Sequence, residues 1–387
     1  MMSRLVPKLR FKEFSGEWDK KPINKILTIG SGKDYKHLSS GDIPVYGTGG
    51  YMLSVNDYLY DGESVCIGRK GTIDKPMLLT GKFWTVDTLF YTHSFKNNIP
   101  KFIYALFLKI NWYKYNEASG VPSLSKVTIG KIDIFIPTPK EQQKIASCLS
   151  SLDSLIEAQN KKVSALKQHK KGLMQQLFPA EGEREPKLRF KAFSGEWEER
   201  ELEDVGNIVT GTTPSTKKDK FYQEGVYPWV TPTDITEKKD IFNTKKSLTQ
   251  KGLDVGRFVP RNSLLVTCIA SIGKNTILRK NGSCNQQINS ITPYKDCNVD
   301  FLYYLIEEKN YILKENAGQG GMAMLNKNDF SNLKFCVSHE IKEQQKIANT
   351  LSTLDSLIEV QNQQINHLKQ HKKGLMQQMF VSSEVGV

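Results

Sequence analysis

The sequence is poor in the features that mark secreted, membrane-bound or metal-holding chains. Its six cysteines, Cys66, Cys148, Cys268, Cys284, Cys297 and Cys336, form no CxxC or CxxxxC pair, which argues against a disulfide framework or a zinc site. They read as small buried hydrophobes in a reducing compartment. No run approaches the roughly eighteen apolar residues of a membrane span. The opening MMSRLVPKLRF has no apolar stretch of the secretory type, so the cytoplasm is the expected location.

Enzyme signatures are scarce too. A phosphate-binding loop needs Ser or Thr after its Gly-Lys pair, but Gly32, Gly81, Gly130 and Gly273 lead into Asp, Phe, Ile and Asn. An adenine methyltransferase would show an Asn-Pro-Pro-aromatic motif, and no Asn-Pro dipeptide occurs. Gly47, Gly49 and Gly50 lack a βαβ context and read as a turn. The six histidines form no HExxH or other metal pair. Neither a catalytic nor a metal site is expected in this chain.

What is present is positive charge and repetition. The net charge is +13, with an isoelectric point near 9.2, which suits a polyanionic partner. Residues 1–139 carry 19 basic and 12 acidic groups, while residues 179–341 carry 23 and 22, so no uniform basic face is implied.

The segment KEQQKIASCLSSLDSLIEAQNKKVSALKQHKKGLMQQLF (140–178) recurs at 342–380 with 29 of 39 positions identical. A shorter repeat, PKLRFKEFSGEW at 7–18 and PKLRFKAFSGEW at 186–197, differs at one position. The expected organisation is a first domain (1–139), a helix (140–178), a linker arm with a second domain (179–341), a second helix (342–380) and a tail (381–387).

In the long repeat, Ile145, Leu149, Leu152, Ile156, Gln159, Val163, Leu166, Lys170, Leu173 and Leu177 step alternately by four and three, and the second copy does the same from Ile347 to Met379. That 3.5-residue period predicts a coiled-coil seam. At 1.5 Å per residue each helix would span roughly 57 Å. The first helix leads into the second domain, so pairing the seams requires the second helix to run back antiparallel. The arm residues Leu9, Phe11, Phe14 and Trp18 are expected to dock on a domain or a helix end. Lys167, Lys170 and Lys171 either touch DNA or complement the negative helix C-terminus.

The intervening segments share a pattern with different contents. SGVPSLSKVTIGKIDIFIP (119–137) corresponds to GQGGMAMLNKNDFSNLKFCV (318–337), and ESVCIGRKGTID (63–74) to NSLLVTCIASIGKNTI (262–277). Helices are predicted near 102–111 and 301–311, making each segment a compact α/β (α+β) unit. Base edges are read by Arg, Lys, Asn, Gln, Ser and Thr, and phosphates by cations, hydroxyls and free N–H groups. By these criteria the candidate DNA-binding residues of the first domain are Lys33, Lys36, His37, Tyr46, Arg69 and Lys70. Those of the second are Thr213, Ser215, Lys217, Lys218, Lys220, Thr233, Lys274, Asn275 and Gln286. The glycine loops at Gly120 and Gly318–Gly321 either let backbone approach DNA or the helices, or serve as tight turns.

The tandem plan, the EQQKIA lead-in to a helix containing LDSLIE at 141–157 and 343–359, GTTPSTKK with FYQEGVYPWV at 211–230, and NQQINSITP at 285–293 together resemble the specificity subunit of type I restriction–modification systems. The resemblance spans nearly the whole chain. It implies two target-recognition domains, each reading half of a split, asymmetric site in double-stranded DNA, and helices that bind two modification (methyltransferase) subunits. It also implies restriction (motor–nuclease) subunits in the assembly. S-adenosylmethionine, ATP and Mg would then sit on those partners and not on this chain. Lys144 and Lys346, at matching places on the two helices, are the candidate subunit-binding residues. The first domain departs from the pattern, with IGSGKDYKHL and DIPVYGTGGY in place of GTTPS and YPWV. The competing readings are a stand-alone two-headed DNA-binding regulator and an enzyme of unrecognised geometry.

Overall fold

The computed structural model describes residues 5–318 and 323–381. Two compact units emerge, one built from residues up to 161 together with those from 362 onward, the other from residues 162–361. Each joins one α/β domain to part of both long helices, Pro139–Leu177 and Ile341–Gln378.

In the first unit an antiparallel sheet runs in the order Thr28–Ser31, Leu89–His93, Ser64–Gly68, Met77–Leu79. A second sheet has the order Gly50–Val55, Ser40–Gly47, Lys82–Thr85, Tyr60–Asp61, its middle pair parallel. Helix Pro100–Phe107 buries Phe102, Ile103 and Phe107, and the core extends to Ile145 and Leu149 of the first long helix. The arm enters through Asp19–Pro22, which pairs with Asp133–Ile136.

The second unit repeats the plan. Its main sheet has the order Gly206–Thr210, Ile288–Pro293, Ser263–Thr267, Asn275–Leu278, Asp240–Ile241. Its smaller sheet is Ser247–Leu248, Tyr227–Val230, Ser283–Cys284. Helix Val299–Glu308 is capped by Asn298 and buries Phe301, Leu302, Tyr304 and Leu305 against Ile347 and Leu351.

Within each unit the long helices run antiparallel. In the first, Asp153 pairs with Lys372 at 2.5 Å, and Phe380 stacks on Phe102 and meets Trp18 edge-on. In the second, Lys170 pairs with Asp355 at 2.9 Å, and Phe178 meets Phe301 and Trp197. Asp153 and Lys170 recur in the repeat as Asp355 and Lys372, so each bridge joins one copy's aspartate to the other copy's lysine. The end of one helix thus returns to the domain from which the other departs.

EQQKIA works as a buried clamp. Glu141, 1% exposed, takes Arg10 through two bonds of 2.8 Å and the Trp18 indole N–H at 3.3 Å. Glu343 does the same with Arg189, at 2.7 and 3.0 Å, and with Trp197 at 3.1 Å. A buried carboxylate needs such charge-assisted partners, and the Glu343 pairing raises the Arg189 pKa. The next residue ties the helix to its domain: Gln142 accepts from Ile99 N–H, and Gln344 from Asn298 N–H. The repeated PKLRF and EQQ are therefore two sides of one joint.

Candidate nucleic-acid interface

Both domains build their exposed loops on the same backbone frame. In the first, the chain at Gly32 passes so close to Val86 that a Cβ would lie 1.9 Å from the Val86 carbonyl oxygen. Only glycine fits that approach. Lys33 N–H then donates to the Thr85 carbonyl (2.8 Å), and the Trp84 indole donates to the Lys33 carbonyl (2.9 Å). In the second domain a Cβ on Gly211 would meet the Asn285 carbonyl oxygen at 2.2 Å. Thr212 N–H donates to Cys284, and the Trp229 indole donates to the Thr212 carbonyl at 3.1 Å.

The pinning indole comes from different strands. Val45 lies opposite Trp84 in one parallel pair, and Trp229 opposite Ser283 in the other. DIPVY and VYPWV therefore occupy the same strand, and the tryptophan has crossed to its neighbour. The apparent lack of YPWV in the first domain is a swap of position, with the hydrogen bond retained.

Around the segment 85–88 the first domain gathers its sequence-nominated residues. Val86 N–H donates to the Tyr46 carbonyl (3.0 Å), Arg69 and Lys70 N–H donate to Thr88, and the Arg69 guanidinium reaches the Asp87 carbonyl. The His37 ring lies 5.8 Å from Trp84, and Lys36 sits in the Asp34 turn. Lys33, Lys36, His37, Arg69 and Lys70 are exposed, and Tyr46 is half-buried beside the exposed Tyr51.

The second domain repeats this hub at 284–287. Asn285 N–H donates to Val230, and Cys268 N–H to Gln287. The glycine loops dock equivalently: Leu124 N–H donates to Arg69 as Leu325 does to Cys268, and Gly71 N–H to Pro122 as Ala270 does to Ala323. Thr213 donates to Gln286 at 2.5 Å. Ser215, Lys217, Lys218 and Lys220 line an exposed run held by Tyr222, whose hydroxyl donates to Pro214 and whose ring meets Trp229. Thr233 is exposed one turn beyond Val230, hydrogen-bonded to Thr231. Lys274, exposed, lines a cavity with Ser271 and Lys314.

Two expectations change. Asn275 is buried, and its amide donates to the Tyr303 carbonyl, so it braces the sheet and presents nothing to a ligand. Lys170 is withdrawn from any DNA role: it is held by Glu307, Asp355 and the Tyr304 ring, and burial raises the Glu307 pKa. Lys167 pairs with Glu237. Lys144 and Lys346 are exposed but lie over the arm rings Phe11 and Phe190, and Lys144 also meets Glu13. Of the second glycine loop, Gly318 is described, while 319–321 fall outside the described residues. Sequence reading missed Arg10, Arg189, Glu141 and Glu343, although their recurrence at fixed spacing in both repeats was the available signal. Among the described residues no helix is long and apolar enough to cross a membrane.

A sequence-family profile described as "Type I restriction modification DNA specificity domain" matches residues 15–168 and 194–370. The MjaIX specificity subunit of Methanocaldococcus jannaschii is 30% identical over 202 residues, covering 49% of this chain and 45% of that protein. A putative MjaX specificity subunit of the same organism is 28% identical, covering 92% of this chain and 85% of that one. The crystal structure of a type I restriction–modification S subunit from M. genitalium superposes with a TM-score of 0.66 at 14% identity, over 97% of this chain and 99% of that one, which establishes a shared fold. With two matches in tandem covering most of its length, the chain belongs to the family of type I restriction–modification DNA specificity domains.

Proposed function

We propose that this chain is the DNA-recognition subunit of a type I restriction–modification complex, reading a split, asymmetric site with one half per domain. The observation that carries this reading is the shared loop frame with unlike side chains upon it. Arg69 stands where Cys268 stands, Asp87 where Gln286 stands, and Lys33 where Thr212 stands. One scaffold with two sets of contact groups suits two different half-sites. Direct readout is assigned to Arg69, Thr213 and Gln286, backed by Tyr46, His37 and Thr233, and phosphate contact to Lys33, Lys36, Lys70, Ser215, Lys217, Lys218, Lys220 and Lys274.

In this reading the chain contributes no chemistry. Modification subunits bring S-adenosylmethionine and restriction subunits bring ATP and Mg, with the long helices as scaffold and Lys144 and Lys346 on the docking surface. A stand-alone regulator is disfavoured, because such proteins normally set identical heads on a palindrome. The test is to map methylated adenines in a host carrying or lacking the gene. A bipartite motif that appears with the gene supports the reading. An unchanged methylome beside an active modification subunit refutes it.

A further inference from the structure

The units differ where each domain's helix faces the long helices. Pro100–Phe107 and Val299–Glu308 begin at equivalent points, since the N–H groups of Ile99 and Asn298 bond the matching glutamines Gln142 and Gln344. Phe102 and Phe301 confirm the register by meeting Phe380 and Phe178. Ala105 therefore stands at the position of Tyr304.

In the second unit Tyr304 is fully buried. Its hydroxyl donates to Asp355 Oδ2 at 2.5 Å and lies 3.2 Å from Ser352 Oγ. Lys170 holds Asp355 Oδ1 and lies 5.0 Å from the ring centroid. The first unit retains all three partners, with Ser150, Asp153 and Lys372 at the repeat positions of Ser352, Asp355 and Lys170, and Asp153 meets Lys372 through Oδ1. Ala105 supplies no ring. The space is a cavity of about 220 Å³, open to solvent on the side where Asp153 is half exposed, and lined by Tyr104, Ala105, Ser150, Asp153, Lys372 and Met376. Roughly 150 Å³ is enough for benzene.

We propose that this cavity is a binding site for a phenol group, which donates its hydroxyl hydrogen to Asp153 and lies against the Lys372 ammonium as Tyr304 lies against Lys170. The group comes either from a tyrosine of a partner polypeptide or from a small phenol, and both share this chemistry.

The full chain is titrated with p-cresol, followed by ligand-observed NMR and by the melting midpoint. Saturable binding in the millimolar range or tighter is expected, about tenfold tighter than toluene, because a bond to a charged group is lost with the hydroxyl. Ala105→Tyr should abolish p-cresol binding and raise the midpoint. Ala105→Leu fills the space without a hydroxyl and should also abolish binding, which keeps the test available if the tyrosine variant fails to fold. Absence of p-cresol binding, or binding that survives both substitutions, overturns the proposal. Co-purification of Ala105→Tyr with a modification subunit separates the sources: lost assembly points to the partner's tyrosine, and retained assembly to a small phenol. Only this arm rests on the proposed scaffold role, so the cavity and the role fail independently.

Discussion

Arg69 and Cys268 occupy one point of a common frame, yet one is an exposed cation and the other a buried thiol. Arg69→Ala should therefore weaken methylation at sites carrying one half of the motif by about 10- to 100-fold, on the usual worth of ~1–3 kcal/mol for a guanidinium read against a base. The other half-site preference should not change, and methylome sequencing reads both. The thiols give a second residue-scale expectation. Burial pushes Cys66, Cys268, Cys284 and Cys297 up to about 12, so they stay protonated and unreactive at neutral pH. Iodoacetamide at pH 8 should label the half-exposed Cys148 and Cys336 in the folded chain before the other four, as peptide mass mapping would show. Much of this was legible in the sequence: exposed Lys, Arg and Thr in turn-rich stretches fell on the loops as expected. Asn275 was misread because a polar side chain after Gly-Lys resembles a loop residue, whereas its strand turns inward and its amide satisfies a helix carbonyl. No sequence pattern reports which way one side chain of a strand faces when both faces are buried.

At the scale of elements, the heptad seam was read correctly and its polar interruptions were not. Lys372 and Lys170 interrupt the apolar series because each meets an aspartate of the opposite helix, a long-range pairing that a period cannot reveal. Gln159 and Gln361 interrupt it differently, since the Oε1 of each is buried with no hydrogen-bond partner among the described residues. An unmet buried acceptor costs about 1–3 kcal/mol. Gln361→Leu should therefore stabilise the chain by about 1 kcal/mol in urea unfolding, at some loss of register specificity. The joint works in the opposite direction. Arg189→Ala leaves the Glu343 carboxylate buried without its cation, held only by the Trp197 indole and the Ser338 hydroxyl, and should destabilise by about 3 kcal/mol, while Glu343→Gln, which removes the charge, should cost less. Equal losses for the two would argue against the clamp. Charge reversal of Lys144 and Lys346 together should weaken assembly with the modification subunit more than either alone. Because these lysines also lie over Phe11 and Phe190, the melting midpoint of the isolated chain must be measured alongside.

For the whole molecule, the proposed independence of the heads makes a sharp prediction. Replacing 198–337 with the equivalent segment of another family member should change one half of the methylated motif and leave the other intact. The cut points are suitable because Glu198 and Val337 pair at the ends of one two-stranded sheet, outside the Arg189–Glu343–Trp197 clamp. A change in both halves would mean that the heads do not read separately. The duplicated plan was visible in the sequence, because a repeat this long needs no structural knowledge to find. The equivalence of the two domains was visible in outline, in the matched segments 63–74 with 262–277 and 119–137 with 318–337, but the residue-by-residue match of their loops was not. That match rests on main-chain hydrogen bonds, which leave almost no trace in residue identity beyond Gly32 and Gly211.

The bond from Leu9 N–H to the Gln378 carbonyl has the same form as that from Leu188 N–H to Gln176. Each arm is tied to the end of a long helix, once across the chain's extremities and once at an internal joint. Arm, head and helix thus follow one another as a cycle taken twice, closed at each arm by the same bond. A gene opened within the exposed stretch 181–185, with 381 joined through a short linker to residue 5, would encode the same cycle with its heads exchanged. Nearly identical segments flank both heads, so a head exchanged between these flanks would leave both clamps rebuilt intact. The joint that stabilises the fold is thereby also the boundary at which a head can be replaced.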